Sequence, residues 1–277
     1  MATGEYIGVF DSGYGGLTIL KEIVTLLPQY NYIYLGDNAR APYGNRSFEV
    51  IYHYTLEAVR KLFDMGCRIV ILACNTASAK ALRTIQQLDL QNIDPTKRVL
   101  GVIRPSVEAL EHCVSNGHIG ILATAGTVAS RSYPLEIEKL YGTGRFQITQ
   151  LACPMWVPLV ENNELQGEGA AFFVRKSLDQ LFQKDQEIDT IILGCTHYPL
   201  LYPLITQIIS PQIRVISQGH IVADRLSDYL LRHPELEEKL GRSSLISYYT
   251  TDRTELFEKM AAIFMGNPVK CSTIQIS

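Results

Sequence analysis

Two stretches of this chain repeat one unusual pattern, and any fold has to place both. Cys67–Ser78 reads CRIVILACNTAS, and Ile188–Pro199 reads IDTIILGCTHYP. Each is a short apolar run (Ile69–Leu72, Ile191–Leu193), then a small residue, a cysteine and two polar residues. A run of β-branched residues this short predicts a strand buried on both faces, as in a parallel sheet. The polar residues then fall at the strand's carboxyl end, where open α/β sheets hold their ligands. Cys74 and Cys195 stand at two such ends.

The surrounding pattern alternates strand and helix. Tyr6–Phe10 is a short apolar strand, and Asp11–Thr18 (DSGYGGLT) is a glycine-rich turn into a helix with Leu17, Leu20, Val24 and Leu27 on one face. Pro28 stops it. Tyr32–Leu35 predicts a second strand, followed by the loop GDNARAPYGNR. Ser47 is placed to cap a helix carrying Phe48, Ile51, Thr55, Val59 and Leu62, which ends near Gly66. After Cys74 a further helix is expected from about Ala77 to Leu88. This alternation means a parallel sheet with helices on both faces.

The second half repeats the order. The segment from Tyr6 matches that from His118, Tyr34 matches Gln150, Cys74 matches Cys195 and Arg98 matches Arg214, at nearly constant spacing. Four matches in one order imply a duplicated unit. The expected fold is α/β: two similar flavodoxin-like parallel-sheet domains related by pseudo-twofold symmetry, with the active site in the cleft between them. Facing each other, the two sheets would present Cys74 and Cys195 to one ligand from opposite sides. Ser244–Ser277 reads as strand, helix and last strand, completing one of the sheets.

Composition narrows the function. The 277 residues are 47% hydrophobic and 19% charged with a formal net charge of −3, so no basic footprint for nucleic acid or a membrane surface exists. No basic leader and no spanning apolar run are evident, so a cytoplasmic location is expected. The six cysteines are too sparse for a disulfide framework, and no C-x-x-C pair, H-E-x-x-H motif or P-loop occurs. Cys67, Cys113 and Cys271 read as small buried hydrophobes.

Thiols on opposite sides of a small ligand suit removal of a proton from one face of a carbon and delivery of another to the opposite face. That is racemisation or epimerisation by two bases. A helix starting after each cysteine would favour thiolate. Ser12 with its glycine turn, Asn75, Thr76, Thr127 and Thr196 offer donors for a carboxylate. Asp11 near the first cysteine and His197 beside the second can orient an ammonium group or assist proton transfer. Asp37 and Arg40 either position the loop at Tyr43 and Gly44 or are solvated. Trp156 reads as packing near the cleft mouth.

Taken together, DSGYGGLT, GDNARAPYG, ACNTAS, GVIRPS and GCTHYPLL resemble the glutamate racemase family, over roughly Ile7 to Leu201. That resemblance implies cofactor-independent racemisation, with no metal and no PLP, supplying D-glutamate for bacterial peptidoglycan. It makes Cys74 and Cys195 the catalytic acid/bases, tuned by Asp11 and His197. It puts Asp11, Ser12, Tyr43, Gly44, Asn75, Thr76, Thr196 and His197 around glutamate, and Glu161 as a carboxylate assisting on the Cys74 side. It also implies a homodimer, and a first domain of 1–98 plus 211–277 around a second of 99–210. The alternatives are a racemase of aspartate or a related acid, and a two-domain small-molecule binding protein without catalysis. A Cys74–Cys195 thiol-disulfide switch is a third.

Overall fold

The computed structural model describes residues 5–276; residues 1–4 and 277 of the expected first domain lie outside that range. Among the described residues, ten strands form two sheets. The larger contains β1 (Tyr6–Asp11), β2 (Tyr32–Gly36), β3 (Cys67–Leu72), β4 (Arg98–Gly101), β9 (Ile246–Thr250) and β10 (Cys271–Thr273), in the order β10-β9-β2-β1-β3-β4. The smaller contains β5 (His118–Ala123), β6 (Gln147–Ala152), β7 (Thr190–Gly194) and β8 (Arg214–Ile216), in the order β6-β5-β7-β8. Every pairing within them is parallel.

Without β9 and β10, the larger sheet reads β2-β1-β3-β4, the same topology as β6-β5-β7-β8. The equivalent strands are those matched in sequence, so the duplication is real in three dimensions. The two cysteine-bearing strands, β3 and β7, are buried along their whole length, which is why they read as unbroken apolar runs. The C-terminal strand, helix and strand extend the larger sheet beyond β2, as expected.

Helix Leu17–Leu26 buries Leu17, Ile19, Leu20 and Ile23. Helix Phe48–Asp64 begins at Ser47, whose Oγ accepts from the Val50 N–H at 3.3 Å. Such a cap contributes about 1 kcal/mol. The helix after β3 departs from expectation. It starts at Asn75, with Cys74 as its N-cap, and continues through a π-helical turn at Ile85–Asp89 to Ile93. Asn75 and Thr76 have weak helix propensity and read as loop, but they form its first turn.

β4 pairs with β3 and β8 pairs with β7, so the chain leaves each sheet after Gly101 and after Ile216. Helix Gln218–Arg232 then returns to pack on helix Leu17–Leu26. Among the described residues no helix is long and apolar enough to cross a membrane.

Candidate active site

The carboxyl ends of β1–β3 and β5–β7 converge on one cavity of about 340 Å³. Ser12, Cys74, Asn75 and Thr76 come to it from the larger sheet; Cys195, Thr196 and His197 come from the smaller. Tyr43 and Gly44 border it from the loop after β2, and Glu161 from the short helix Trp156–Glu161. Of the residues anticipated, only Asp11 and Thr127 do not line it. Both are fully buried one layer behind.

Each cysteine has a distinct setting. Cys74 Sγ lies 3.5 Å from Ser12 Oγ. Burial and the nearby Asp11 carboxylate push its thiol up to about 12, and the Ser12 hydroxyl and Ala77 N–H offset only part of that. Desolvation thus outweighs the pull toward thiolate expected of the helix that starts at Cys74. Cys195 differs in another way. A turn and the 3-10 segment Tyr198–Leu201 follow it rather than a regular helix. Its neighbour is His197, whose Nδ1 lies 3.9 Å from the sulfur.

Burial opposes charge on His197, but hydrogen bonds to Cys195 and Glu161 overcome it and raise the imidazole to about 10. His197 Nε2 sits 3.0 Å from Glu161 Oε1. Glu161 is thereby paired with the neighbour of Cys195, where the family resemblance implied a carboxylate assisting on the Cys74 side. The sequence distance between VPLVEN and CTHYP hid this pairing.

Asp11 connects the halves from behind. Its carboxylate accepts from the Gly13 N–H at 2.9 Å and from the Thr196 hydroxyl at 3.2 Å. Its carboxyl is raised by burial, with the His197 charge and these donors opposing. Thr127 hydrogen-bonds Thr124 and Thr76, and Thr124 borders the cavity in its place. Thr124 is the counterpart of Ser12 when the segments from Tyr6 and His118 are matched, so the repeat contained the signal. Tyr14 and Asn38, from the DSGYGGLT and GDNARAPYG segments, also line the cavity, as do Cys153, Val157 and Pro158.

The loop after β2 is built rather than solvated. Asp37, fully buried, accepts from the Tyr43 hydroxyl and from Arg40 Nε, and Arg40 stacks 4.1 Å over Tyr54. The Gly44 carbonyl accepts from the Gly126 N–H at 2.8 Å, joining this loop to the other sheet's unit. A Cβ on Gly126 would lie 2.6 Å from that carbonyl. Trp156 is buried against Tyr198 beneath the cavity wall, at 4.8 Å between ring centroids. None of the other five histidines borders the cavity.

Fold and site define a class: a duplicated α/β protein whose halves enclose a small cavity with one thiol from each sheet. The profile of the Asp/Glu/Hydantoin racemase family matches residues 7–226. A glutamate racemase of Bacillus cereus is 38% identical over 271 residues, covering 98% of this chain and 96% of that one. Among solved structures, a glutamate racemase isoform of Bacillus anthracis superposes with a TM-score of 0.89 at 31% identity, covering 99% and 98% of the two chains. The Francisella tularensis glutamate racemase solved with D-glutamate gives 0.87 at 28% identity, covering 99% of each. The chain belongs to the Asp/Glu/Hydantoin racemase family.

Proposed function

We propose that this chain interconverts L- and D-glutamate without a cofactor, using Cys74 and Cys195 as opposed acid/bases, and so supplies D-glutamate for peptidoglycan. The observation that carries the reading is one cavity bordered by a cysteine from each sheet, with Ser12 against one and His197 against the other. The relatives named glutamate racemase support glutamate as the substrate.

In this reading Ser12, Asn75, Thr76, Thr124 and Thr196 supply donors to the substrate carboxylates, and the Tyr43–Gly44 loop closes over them. Cys74 acts as base on D-glutamate and Cys195 on L-glutamate. The base takes the α-proton, the electron pair remains on a planar carbanion, and the opposing thiol gives its proton to the other face. One thiolate and one thiol are regenerated with their roles exchanged. Preorganised donors in a site that excludes water stabilise the carbanion's carboxylate charge. Asp11 and Thr127 hold these groups from behind, and Glu161 positions His197. The assembly is a homodimer in the cytoplasm with no nucleic-acid partner, as sedimentation equilibrium and cell fractionation check. The domains divide near the two chain crossings.

Proton NMR of D-glutamate with the enzyme in D2O tests the reaction. Loss of the α-hydrogen signal with appearance of L-glutamate is expected. A persistent signal with glutamate bound, or turnover of aspartate alone, overturns the reading.

Glu161 carries a pH prediction. His197 is raised above its usual 6.5, so the stability its charge contributes is fully present below that value and is lost as pH rises through about 10. Glu161→Gln removes one of the groups holding the imidazolium. The alkaline fall in Tm is expected to begin at lower pH in this variant, with racemisation weakened over the same range. Superimposable Tm–pH profiles would show that Glu161 does not hold the charge.

A further inference from the structure

Behind Asn75 lies a buried polar chain that no part of the proposed reaction uses. Gln218, the first residue of helix Gln218–Arg232, is 1% exposed and stands where the chain leaves the smaller sheet. Its Oε1 accepts from Asn75 Nδ2 at 2.6 Å. Its Nε2 donates to Ser106 Oγ at 2.7 Å and Tyr133 Oη at 2.9 Å, and approaches the Val102 carbonyl at 3.3 Å. Tyr133 Oη in turn donates to Asn75 Oδ1 at 2.7 Å. Tyr133 and Ser106 are themselves fully buried.

The polarity of this chain is set at one end. A carbonyl only accepts, so the Val102 oxygen takes the Ser106 hydroxyl proton at 2.7 Å and must face Gln218 Nε2, not Oε1. Ser106 is then left as acceptor for Gln218. Gln218 Oε1 points to Asn75 and requires an N–H there, which leaves Asn75 Oδ1 for the Tyr133 hydroxyl. Every amide orientation follows from a backbone carbonyl at the first chain crossing. Asn75 borders the cavity beside Cys74, and its nitrogen keeps one hydrogen. The reverse orientation would set Asn75 Oδ1 against Gln218 Oε1, two acceptors with no hydrogen between them.

We propose that Gln218 and Tyr133 are positioning residues that lock the Asn75 amide with a free N–H for the substrate carboxylate, and so tie both chain crossings to the reacting site. The proposal rests on glutamate as the substrate. It separates from that reading because the lock is visible without turnover. In the unliganded enzyme, the Asn75 side-chain NH2 signals, assigned by their loss in Asn75→Ala, are expected to exchange slowly with solvent. They are expected to shift and exchange faster in Gln218→Leu and in Tyr133→Phe. In wild-type enzyme shown to racemise glutamate, each variant is expected to raise KM for both enantiomers on the order of tenfold, the effect of a mispositioned charge-assisted hydrogen bond. Adding Gln218→Leu to Asn75→Ala should cost nothing more. A merely structural residue would multiply its effect into that background. Unchanged Asn75 amide signals, KM values within about twofold of wild type, or multiplicative losses in the double variant would overturn the assignment. If wild-type enzyme does not act on glutamate, the amide signals alone decide the lock.

Discussion

Replacing Cys74 or Cys195 with serine is expected to lower racemisation in both directions by on the order of 10³-fold, within the range general acid–base catalysis supplies. An alcohol is far weaker as an acid than the thiol it replaces, so neither role survives. Each turnover uses one sulfur as base and the other as acid, hence either substitution stops both directions. Sγ to Oγ is nearly a volume-conserving change at two buried positions, and Tm should move little. Chiral chromatography of reactions started from each enantiomer gives the rates. A single serine variant that keeps full two-way activity would refute the two-base account.

The second large effect comes from a residue with no side chain. A Cβ on Gly15 would lie 2.2 Å from Thr196 Oγ1 and 2.5 Å from His197 Nδ1, both buried. The glycine is required for close approach of the two sheets' loops across the site. In Gly15→Ala, Thr196 has to leave the Asp11 carboxylate, and His197 has to move from Cys195. Overpacking of this kind costs about 1–3 kcal/mol of stability, and a displacement near 1 Å at a reacting group costs about 10²-fold in rate. Thermal unfolding and kcat measured together test it. A variant with wild-type kcat and Tm would mean that the loops separate freely, contrary to the packing described.

Much of the fold was legible because the duplication is written in matched segments. Parallel strands buried on both faces leave unbroken apolar runs, and the same run before Cys74 and Cys195 marks equivalent strand ends. The site residues that could be read were those adjoining such runs: Ser12 after β1, Asn75 and Thr76 after β3, Thr196 and His197 after β7. Thr124 stands in the same register after β5, whereas Thr127 looks identical in sequence but hydrogen-bonds Thr124 and Thr76 behind the cavity. Gln218 carried no local signal at all.

The sequence by itself determined two parallel sheets of one topology, the strand ends that carry chemistry and the pairing of one thiol with another. These follow from local patterns of apolar, polar and glycine residues, which act over a few positions. Only the tertiary structure decided that Glu161 serves His197, that Asp11 reaches Thr196 across the interface, and that burial pushes the Cys74 thiol up. Those depend on desolvation and on contacts between residues far apart in the chain. The shape of the closed cleft sets both, and no neighbouring residue records it.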